Sequence, residues 1–420
     1  MLLTDEEIKK LKKGVQHRLT IDGKTESRQS YLVPIEGLFF NDLNGRISTY
    51  IEENDNCHDS SKKLSELLSN NQFDEYNDII AEFIKKSAND NDMSFKKTKN
   101  DIKSNGQKIP GVILRNGRII DGNRRFTCLR ELFAETGDTQ FAYFECVILD
   151  VPETKEQMRS IKLLELNIQF NVDEKKDYNR IDFLVSFYKD TMDSSSEDKI
   201  DKKTYCYASG LNESDYNMNK LIVEKMIDYL EWRNKPKAFY ILKNEKLDGP
   251  IEEIAKKSKK WTKDEWDERK TTIYSYMTFN NTGDRTRDIR KILDSANKGN
   301  YLYKHLKEMT EETDFLVQLP NALGAMEKKP TSPEESKERN QILSNTRNFM
   351  TSAFNDGSLQ ESIQKDVEGP KNVIKSILDS LKKINQMQIS NFPQNKKDEL
   401  MQYIKDINGV LAELEEICKK

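Results

Sequence analysis

Apolar and polar residues in the segment KIPGVILRNGRIIDGNRRFTCLREL, residues 108–132, predict a strand, a tight turn, a second strand and a helix. Its VIL run is typical of a buried strand, and the following NG dipeptide favours a two-residue hairpin turn. The II pair predicts the return strand, which the DGN tripeptide ends. From Arg124 onward, apolar residues recur every three or four positions, which predicts a helix.

Helical spacing also dominates the rest of the chain, with two further short strands. We expect strands at 32–38 and 145–149 and a loop at 190–202. The spacing predicts helices at 4–13, 63–68, 76–86, 154–170, 175–188, 214–232, 251–257 and 262–277. Near the end of the chain, apolar residues alternate three and four apart over 374–384 and 400–418, which is coiled-coil spacing. These two helices are expected to close as a hairpin within one chain or to pair between chains.

Composition narrows the class of protein. Of the 420 residues, 35% are hydrophobic and 33% charged, which is typical of a largely helical protein with long solvated faces. No apolar run is long enough to span a membrane, and the five scattered cysteines indicate reduced thiols, so we expect a cytoplasmic protein. The net charge of −4 means that nucleic acid would need a local basic patch.

The start of the predicted helix is a candidate anion site. Arg124 and Arg125 lie in its first turn, directly after Gly122. Backbone N–H groups and the helix dipole favour an anion at such a terminus, whereas arginines there have the wrong sign for helix stability. A phosphate would resolve that conflict. The alternative is a structural corner with two surface arginines.

The segments VPIEGLFFNDLNGR, DIKSNGQKIPGVIL, GRIIDGNRRFTCLREL and ECVIL occur in an order that resembles the N-terminal domain of the ParB family, which shares its fold with sulfiredoxin. The resemblance covers residues 32–171, with an insertion at 48–96. It implies an α/β (α+β) fold: a ParB/sulfiredoxin-like N-terminal domain with a helical insertion, followed by mostly α-helical modules. The expected boundaries are a nucleotide-binding domain at 1–172, helical modules at 173–234 and 235–327, a linker at 328–345, and a C-terminal coiled-coil region at 346–420.

In the ParB family this domain binds a nucleoside triphosphate, typically CTP, with Mg²⁺. The family's GERR glutamate is Asn123 here, its magnesium glutamate is Leu166, and the arginine that ends its E-N-x-Q-R motif is Phe170. These departures predict phosphate binding with slow or absent hydrolysis. Sulfiredoxin chemistry is not expected, because the catalytic cysteine also aligns with Asn123. The resemblance implies phosphate ligands at Gly122, Asn123, Arg124, Arg125, Arg46 and Gln169, and magnesium ligands at Asn167 and Glu165.

A second region, residues 204–232, predicts a short helix, a glycine turn and a longer helix, the arrangement of a helix-turn-helix. ParB proteins have such an element after the nucleotide domain, so DNA binding is one expectation and a helical packing unit is the other. The 279–291 segment, a loop into a helix with three arginines and a lysine, is a second candidate anion site, the alternative being an arginine–carboxylate network. The candidate DNA-binding residues are Asn212, Ser214, Asn217, Asn219, Lys220, Arg285 and Arg287.

The expected function is a ParB-like switch that binds CTP or ATP with Mg²⁺ and acts on DNA. Whether the protein is an enzyme stays open, with a weak NTPase and a nuclease as the two possibilities. A nuclease of a phage-defence or mobile-element system on the same fold is one alternative, and a non-catalytic nucleic-acid-binding scaffold is another. ParB proteins dimerise through a C-terminal segment, and the C-terminal helices here suggest a homodimer.

Overall fold

The computed structural model describes residues 3–21, 24–57, 63–88, 93–150, 157–170, 179–193, 199–280, 283–365, 369–384 and 389–419. Over these residues the fold is mixed α+β, with helices around one five-stranded sheet. The strands are β1 Lys12–Ile21, β2 Lys24–Pro34, β3 Gly111–Leu114, β4 Ile119–Asp121 and β5 Tyr143–Leu149.

The strands lie in the order β1-β2-β5-β3-β4. Only the β3–β5 pair is parallel among these neighbours. The predicted β3–β4 hairpin is confirmed: Gly117 has a φ of +90°, and its N–H donates to the Leu114 carbonyl at 2.9 Å. The helix predicted for 4–13 is too long, because it ends at Lys10 and β1 begins at Lys12. The long β1–β2 hairpin was not predicted.

Seven helices in the described residues belong to the sheet-containing part of the chain. They are α1 Asp5–Lys10, α2 Ser48–Cys57, α3 Leu64–Ser69, α4 Phe73–Ala88, α5 Met93–Asn105, α6 Asn123–Thr136 and α7 Gln157–Phe170. The helices that follow are α8 Arg180–Thr191, α9 Lys202–Ser209, α10 Glu213–Trp232, α11 Tyr240–Asn244, α12 Asp248–Ser258, α13 Lys263–Phe279, α14 Arg285–Lys298, α15 Tyr301–Glu311, α16 Thr313–Glu327, α17 Pro333–Lys365, α18 Gly369–Lys382 and α19 Gln394–Cys418.

The centre of the sheet, around β3, is buried on both faces. Along β3, Ile113 contributes to the core beneath α4, α5 and α6, whereas Val112 and Leu114 contribute to the core beneath α7. Successive strand residues point to opposite faces, so a continuous apolar run is what a strand covered on both sides requires. The helices of the insertion pack into the first of these cores, through residues such as Tyr76 and Ile80.

A separate hydrophobic core extends from Leu166 on α7 to Phe354 on α17. It takes side chains from both segments expected as modules, 173–234 and 235–327. The linker expected at 328–345 is largely helical instead, because α17 begins at Pro333. Leu343, within that expected linker, is a buried member of the helical core.

One buried ion pair joins the insertion to the helical part of the chain. Asp182 on α8 accepts hydrogen bonds from Thr49 Oγ1 at 2.5 Å and from Lys243 Nζ at 2.6 Å. The same Nζ lies 3.7 Å from the ring centre of Tyr50. Because Thr49 and Tyr50 belong to α2 and Lys243 to α11, these contacts hold three separated stretches of chain together.

Glu52 on α2 lies beside this pair and is largely buried. Its Oε1 is 3.4 Å from Lys189 Nζ, and its Oε2 has no hydrogen-bond partner. Burial raises the pKa of Glu52 to about 7, although the Lys189 ammonium opposes the shift. Burial likewise raises the pKa of Asp190 to about 6, against the opposing charge of Lys162. Glu52 and Asp190 are therefore carboxyl groups that resist ionisation.

We expect Glu52→Gln to flatten the pH dependence of stability. The folded state binds the Glu52 proton more tightly than the unfolded chain, whose pKa is near the ordinary 4.5, so the free energy of unfolding falls as pH rises from about 4.5 to 7. The variant should gain about 2 kcal/mol relative to wild type between pH 5 and pH 8 in urea titrations. Glu53→Gln removes the same charge from the next residue and is the control. An equal effect of Glu52→Gln at both pH values would contradict this assignment.

Candidate phosphate-binding site

The corner between β4 and α6 requires glycine. Gly122 has a φ of +98°, and a Cβ built there would lie 2.8 Å from Phe144 Cζ and 3.3 Å from Gly111 Cα. No side chain caps α6 at Gly122, and the first bond closed within the helix runs from the Phe126 N–H to the Gly122 carbonyl. First-turn N–H groups of an α-helix have no acceptor inside the helix, so this terminus suits an anion.

The two predicted phosphate arginines point in different directions. Arg124 Nη1 donates to Ser94 Oγ on α5 at 2.8 Å. Arg125 Nη2 donates to Asp121 Oδ2 at 2.7 Å and to the Pro110 carbonyl at 3.4 Å. Adjacent helix residues are about 100° apart, which accounts for the divergence. Arg125 is therefore the arginine that stays at the corner.

Two polar atoms at this corner are buried and have no partner. They are Arg125 Nε, a donor, and Asn123 Oδ1, an acceptor. Asn123 itself is only 8% exposed. A buried polar atom without a partner is unfavourable by about 1–3 kcal/mol, so a ligand that satisfied Arg125 would recover that free energy. An asparagine amide can also rotate to present its donor instead of its acceptor.

His17 on β1 is electrostatically coupled to Asp121 and Arg125 of this corner and was missed by the sequence analysis. Burial lowers the pKa of His17, the Asp121 carboxylate opposes that change, and the Arg125 guanidinium adds to it. The Glu145 carboxylate, a further influence on His17, fixes the edge of the sheet by accepting from the Val15 N–H at 2.7 Å and from Ser30 Oγ at 2.6 Å. No motif in the sequence pointed to His17, since only the fold of β1 brings it near α6.

A second polar cluster contains part of the predicted magnesium set. Glu165 on α7 is buried and accepts from Asn41 Nδ2 at 3.0 Å. Arg118 at the β3–β4 turn donates to Asn41 Oδ1 at 3.2 Å and to Asp42 Oδ1 at 2.7 Å, while its own Nε is buried without a partner. These contacts connect α7 to the loop after β2. Arg118 and Asn41 were not among the predicted site residues.

The remaining predicted ligands fall into two groups. Arg46 is half-buried in a short 3₁₀ turn, where its backbone N–H donates to Asn44 Oδ1 at 3.0 Å. Asn167 and Gln169 lie within the bounds of α7, but their side chains are outside the described part of the structure. In the portion that is described, no three His, Cys, Asp or Glu side chains are grouped to hold a metal ion.

The helix pair predicted near residue 210 is present. α9 and α10 are separated by Gly210, at a φ of +68°, and Asn212 caps α10 by accepting from the Asp215 N–H at 2.8 Å. Asn219 is an exception to the predicted DNA-contacting set, because it is buried and accepts from Arg180 Nη2 at 2.9 Å. The other residues of this set that lie on the helix pair, Asn212, Ser214, Asn217 and Lys220, are exposed.

In the second candidate anion site, the 279–291 segment, two of the arginines already donate to acceptors of the protein itself. Arg285 Nη1 donates to the Glu245 carbonyl at 3.1 Å, whereas Arg287 is exposed. The neighbouring Arg290 makes a two-pronged contact with Glu253, at 3.0 and 2.9 Å. This last contact fits the arginine–carboxylate network that the sequence analysis left as the alternative.

Thiol chemistry has no suitable group at the corner. Cys128, one turn along α6, is fully buried, and burial raises the pKa of its thiol to about 12. A reactive cysteine needs a thiolate at working pH. Cys128 is therefore a packing residue.

Comparison with family models, curated proteins and solved structures finds no match to this chain. The ParB resemblance accordingly depends on the quoted motif segments alone. Of the helices that the structure describes, none has both the length and the apolar character needed to cross a membrane.

Proposed function

We propose that the chain binds the phosphates of a nucleoside triphosphate, CTP or ATP, at the Gly122–Arg125 corner, and acts as a nucleotide-dependent switch on DNA. The supporting observation is the uncapped start of α6 beside a buried, unpartnered Arg125 Nε. A phosphate oxygen would accept from that donor and from first-turn N–H groups together.

Asp121 gives a physical reason for a magnesium requirement. In the absence of ligand, its carboxylate holds Arg125 in an ion pair of 2.7 Å. A phosphate arriving at Arg125 would place negative charge next to this carboxylate. Mg²⁺ would offset the repulsion, with Asp121 and phosphate oxygens as the hard oxygen ligands that this ion prefers. Nucleotide binding is thus expected to depend on Mg²⁺.

Hydrolysis is expected to be slow or absent. Leu166, which occupies the position of the family's magnesium glutamate, is buried in the helical core. The adjacent Glu165 is hydrogen-bonded to Asn41. Phosphoryl transfer depends on positioned metal ions and an oriented nucleophile, and Leu166 contributes to neither.

DNA is proposed to meet the start of α10. Asn212, Ser214, Asn217 and Lys220 are exposed there. The acidic Glu213 next to them is paired with Lys202 at 2.7 Å, which reduces its repulsion of phosphate. Polar side chains at the start of a second helix are the usual base-contacting positions of a helix-turn-helix.

We expect Arg125→Ala to weaken nucleotide binding by about 10- to 150-fold, which corresponds to about 1.5–3 kcal/mol for a lost charge-assisted hydrogen bond. Calorimetric titration of wild type and variant with each NTP and Mg²⁺ measures this. Arg130→Ala is the matched control, because it removes the same charge from α6, where Arg130 pairs with the exposed Asp78. Equal affinity of wild type and Arg125→Ala would refute the site.

His17 provides a second readout. The chain has three histidines, so their imidazole signals can be assigned by substitution and titrated by NMR. A phosphate bound next to Arg125 adds negative charge and should raise the pKa of His17 relative to the ligand-free protein. If no nucleotide shifts this titration, and Mg²⁺-dependent DNA cleavage is found that Asp121→Asn abolishes, the nuclease alternative takes precedence.

A further inference from the structure

The first strand of the sheet, β1, has an edge that no other described strand covers. β1 is terminal in the strand order, so only its inner edge pairs with β2. In an antiparallel ladder, every second residue directs its N–H and C=O groups away from the partner strand. Along β1 these outward groups form a row of donors and acceptors, which is the surface that an added strand pairs with.

A bulge limits the part of this edge that is open. The register against β2 shifts between Lys13 and Gln16, and the Val15 N–H within the bulge already donates to Glu145 Oε1 at 2.7 Å. From Gln16 to Ile21 the pairing with β2 is regular. Six residues at about 3.3 Å each give an open edge about 20 Å long, which accommodates an extended peptide of about six to eight residues.

The side chains of this stretch alternate in exposure. Gln16 and Arg18 are exposed, whereas His17 is half-buried and Leu19 is buried. Leu19 belongs to the core beneath α7, so the protein covers one face of β1. The other face is in solvent, next to the open edge.

The surroundings of the edge are strongly basic. Residues 9–28 contain seven basic and two acidic residues, a net charge of +5 in a chain whose net charge is −4. The acidic residues are Asp22, between the two strands, and Glu26, which is paired with Arg28 at 2.7 Å. Further acidic residues, 5–7, occupy the opposite end of α1. The exposed cations outside the Glu26 pair are Lys9, Lys10, Lys12, Lys13, Arg18 and Lys24.

We propose that β1 binds an acidic, extended peptide segment of another protein, which adds to the sheet as a further strand. The open edge supplies main-chain hydrogen bonds, and the basic side chains select a segment that carries carboxylates. Val15, which is 53% exposed, lies between Lys13 and Arg18 and favours an apolar residue near the middle of that segment. This surface is proposed in addition to the nucleotide site at Arg125 and does not depend on it.

Charge argues against a second copy of the chain as the occupant. From Lys12 to Ile21, β1 has no acidic residue. Pairing β1 with β1 would bring cations next to cations in either orientation, and like charges directly opposite each other destabilise a strand pair. Nucleic acid satisfies the charge, but its sugar–phosphate backbone has no N–H donors for the outward carbonyl groups. An acidic peptide matches both the charge and the hydrogen-bonding pattern.

Fluorescence-anisotropy titration of the full chain with a labelled peptide tests the proposal. The peptide Glu-Glu-Val-Thr-Val-Glu-Glu reads the same in both directions, so either strand orientation can form, and it should bind saturably. Methylating the three central backbone nitrogens keeps every charge but removes those N–H donors, and should weaken binding by about tenfold or more. Equal affinity of the two peptides, or no saturable binding, would overturn the proposal and leave Lys12 and Lys13 as residues that prevent strand pairing.

Variants of the chain locate the surface. Arg18→Glu should weaken binding of the unmodified peptide by about tenfold or more, because it places a carboxylate beside the acidic peptide. Lys304→Glu makes the same charge change at an exposed position of α15 and should bind as wild type does. Urea denaturation checks that both variants are folded. Equal peptide affinity of Arg18→Glu and wild type would place the binding elsewhere and overturn the proposal.

Two further titrations separate this surface from the other proposals. Arg125→Ala should bind the peptide normally, whether or not it has lost nucleotide. Single-stranded DNA should compete weakly with the peptide. If DNA instead binds more tightly than the peptide, and Arg18→Glu abolishes that binding, the β1–β2 hairpin is a nucleic-acid surface and the peptide proposal is wrong.

Discussion

Alanine at position 122 is expected to destabilise the protein by about 3 kcal/mol and to abolish phosphate binding at the α6 corner. The backbone of Gly122 is left-handed, at a φ of +98°, which is unfavourable for an L-residue by about 1–2 kcal/mol. The added Cβ would also lie 2.8 Å from Phe144 Cζ. Phe144 is fully buried against Phe126, so it has little room to move, and overpacking of this kind costs about 1–3 kcal/mol.

Gly137, at the other end of α6, is the matched control. It also has a positive φ, of +65°, but a Cβ there would meet no heavy atom within 4 Å. Gly137→Ala should therefore lose only the backbone term, about 1 kcal/mol, and should bind nucleotide normally. Urea denaturation of both variants compares them. Equal losses at positions 122 and 137 would show that contact with Phe144 is unimportant.

The β3–β4 hairpin and α6 were predictable because their signals are local. The apolar run, the Asn116-Gly117 turn and the helical spacing all lie within 25 residues. The β1–β2 hairpin gave no such signal. A half-buried strand is recognised by alternating apolar and polar residues, but β1 is not buried in that way: its Val15, for example, is 53% exposed. Its stability depends on β5, more than 100 residues away, through contacts such as that between Val15 and Glu145.

The sequence located the β4–α6 corner but not the directions of its side chains. Sequence placed two arginines after a glycine, yet Arg124 bonds to Ser94, 30 residues earlier, and only Arg125 remains at the corner. The same reasoning could not find His17, whose coupling to Asp121 and Arg125 depends on the fold of β1. Asn219 was misassigned because helical periodicity alone did not place it on the buried side of α10, where Arg180 covers it.

The prolines between α16 and α17 predicted a linker, but most of that segment is helical. The KKPTSPEE segment has the composition of a linker, but Pro333 is the first residue of a 33-residue helix. Proline suits the first turn because its missing N–H would have no acceptor there and its φ is already helical. Ser332 Oγ then accepts from the Glu335 N–H at 3.1 Å, which caps the helix. The same residues can thus end one helix and begin the next without a flexible connection.

Lys243→Met should destabilise the protein by about 3–5 kcal/mol, the loss expected when one partner of a buried ion pair is removed. Asp182 would keep only its hydrogen bond from Thr49 among the contacts described above, within a site that burial already makes unfavourable for its charge. Lys257→Met is the control: it breaks an exposed ion pair of nearly equal length, 2.7 Å, with Asp294, for which about 0–1 kcal/mol is expected.

The pH dependence of the Lys243→Met deficit separates lost charge compensation from lost packing. Burial raises the pKa of Asp182 and Lys243 lowers it, so the variant's Asp182 pKa should rise further and its carboxyl should take up a proton at higher pH than in wild type. The destabilisation is therefore expected to shrink as pH falls. A deficit of constant size from pH 5 to pH 8 would mean that packing of the Lys243 side chain, and not its charge, stabilises the protein.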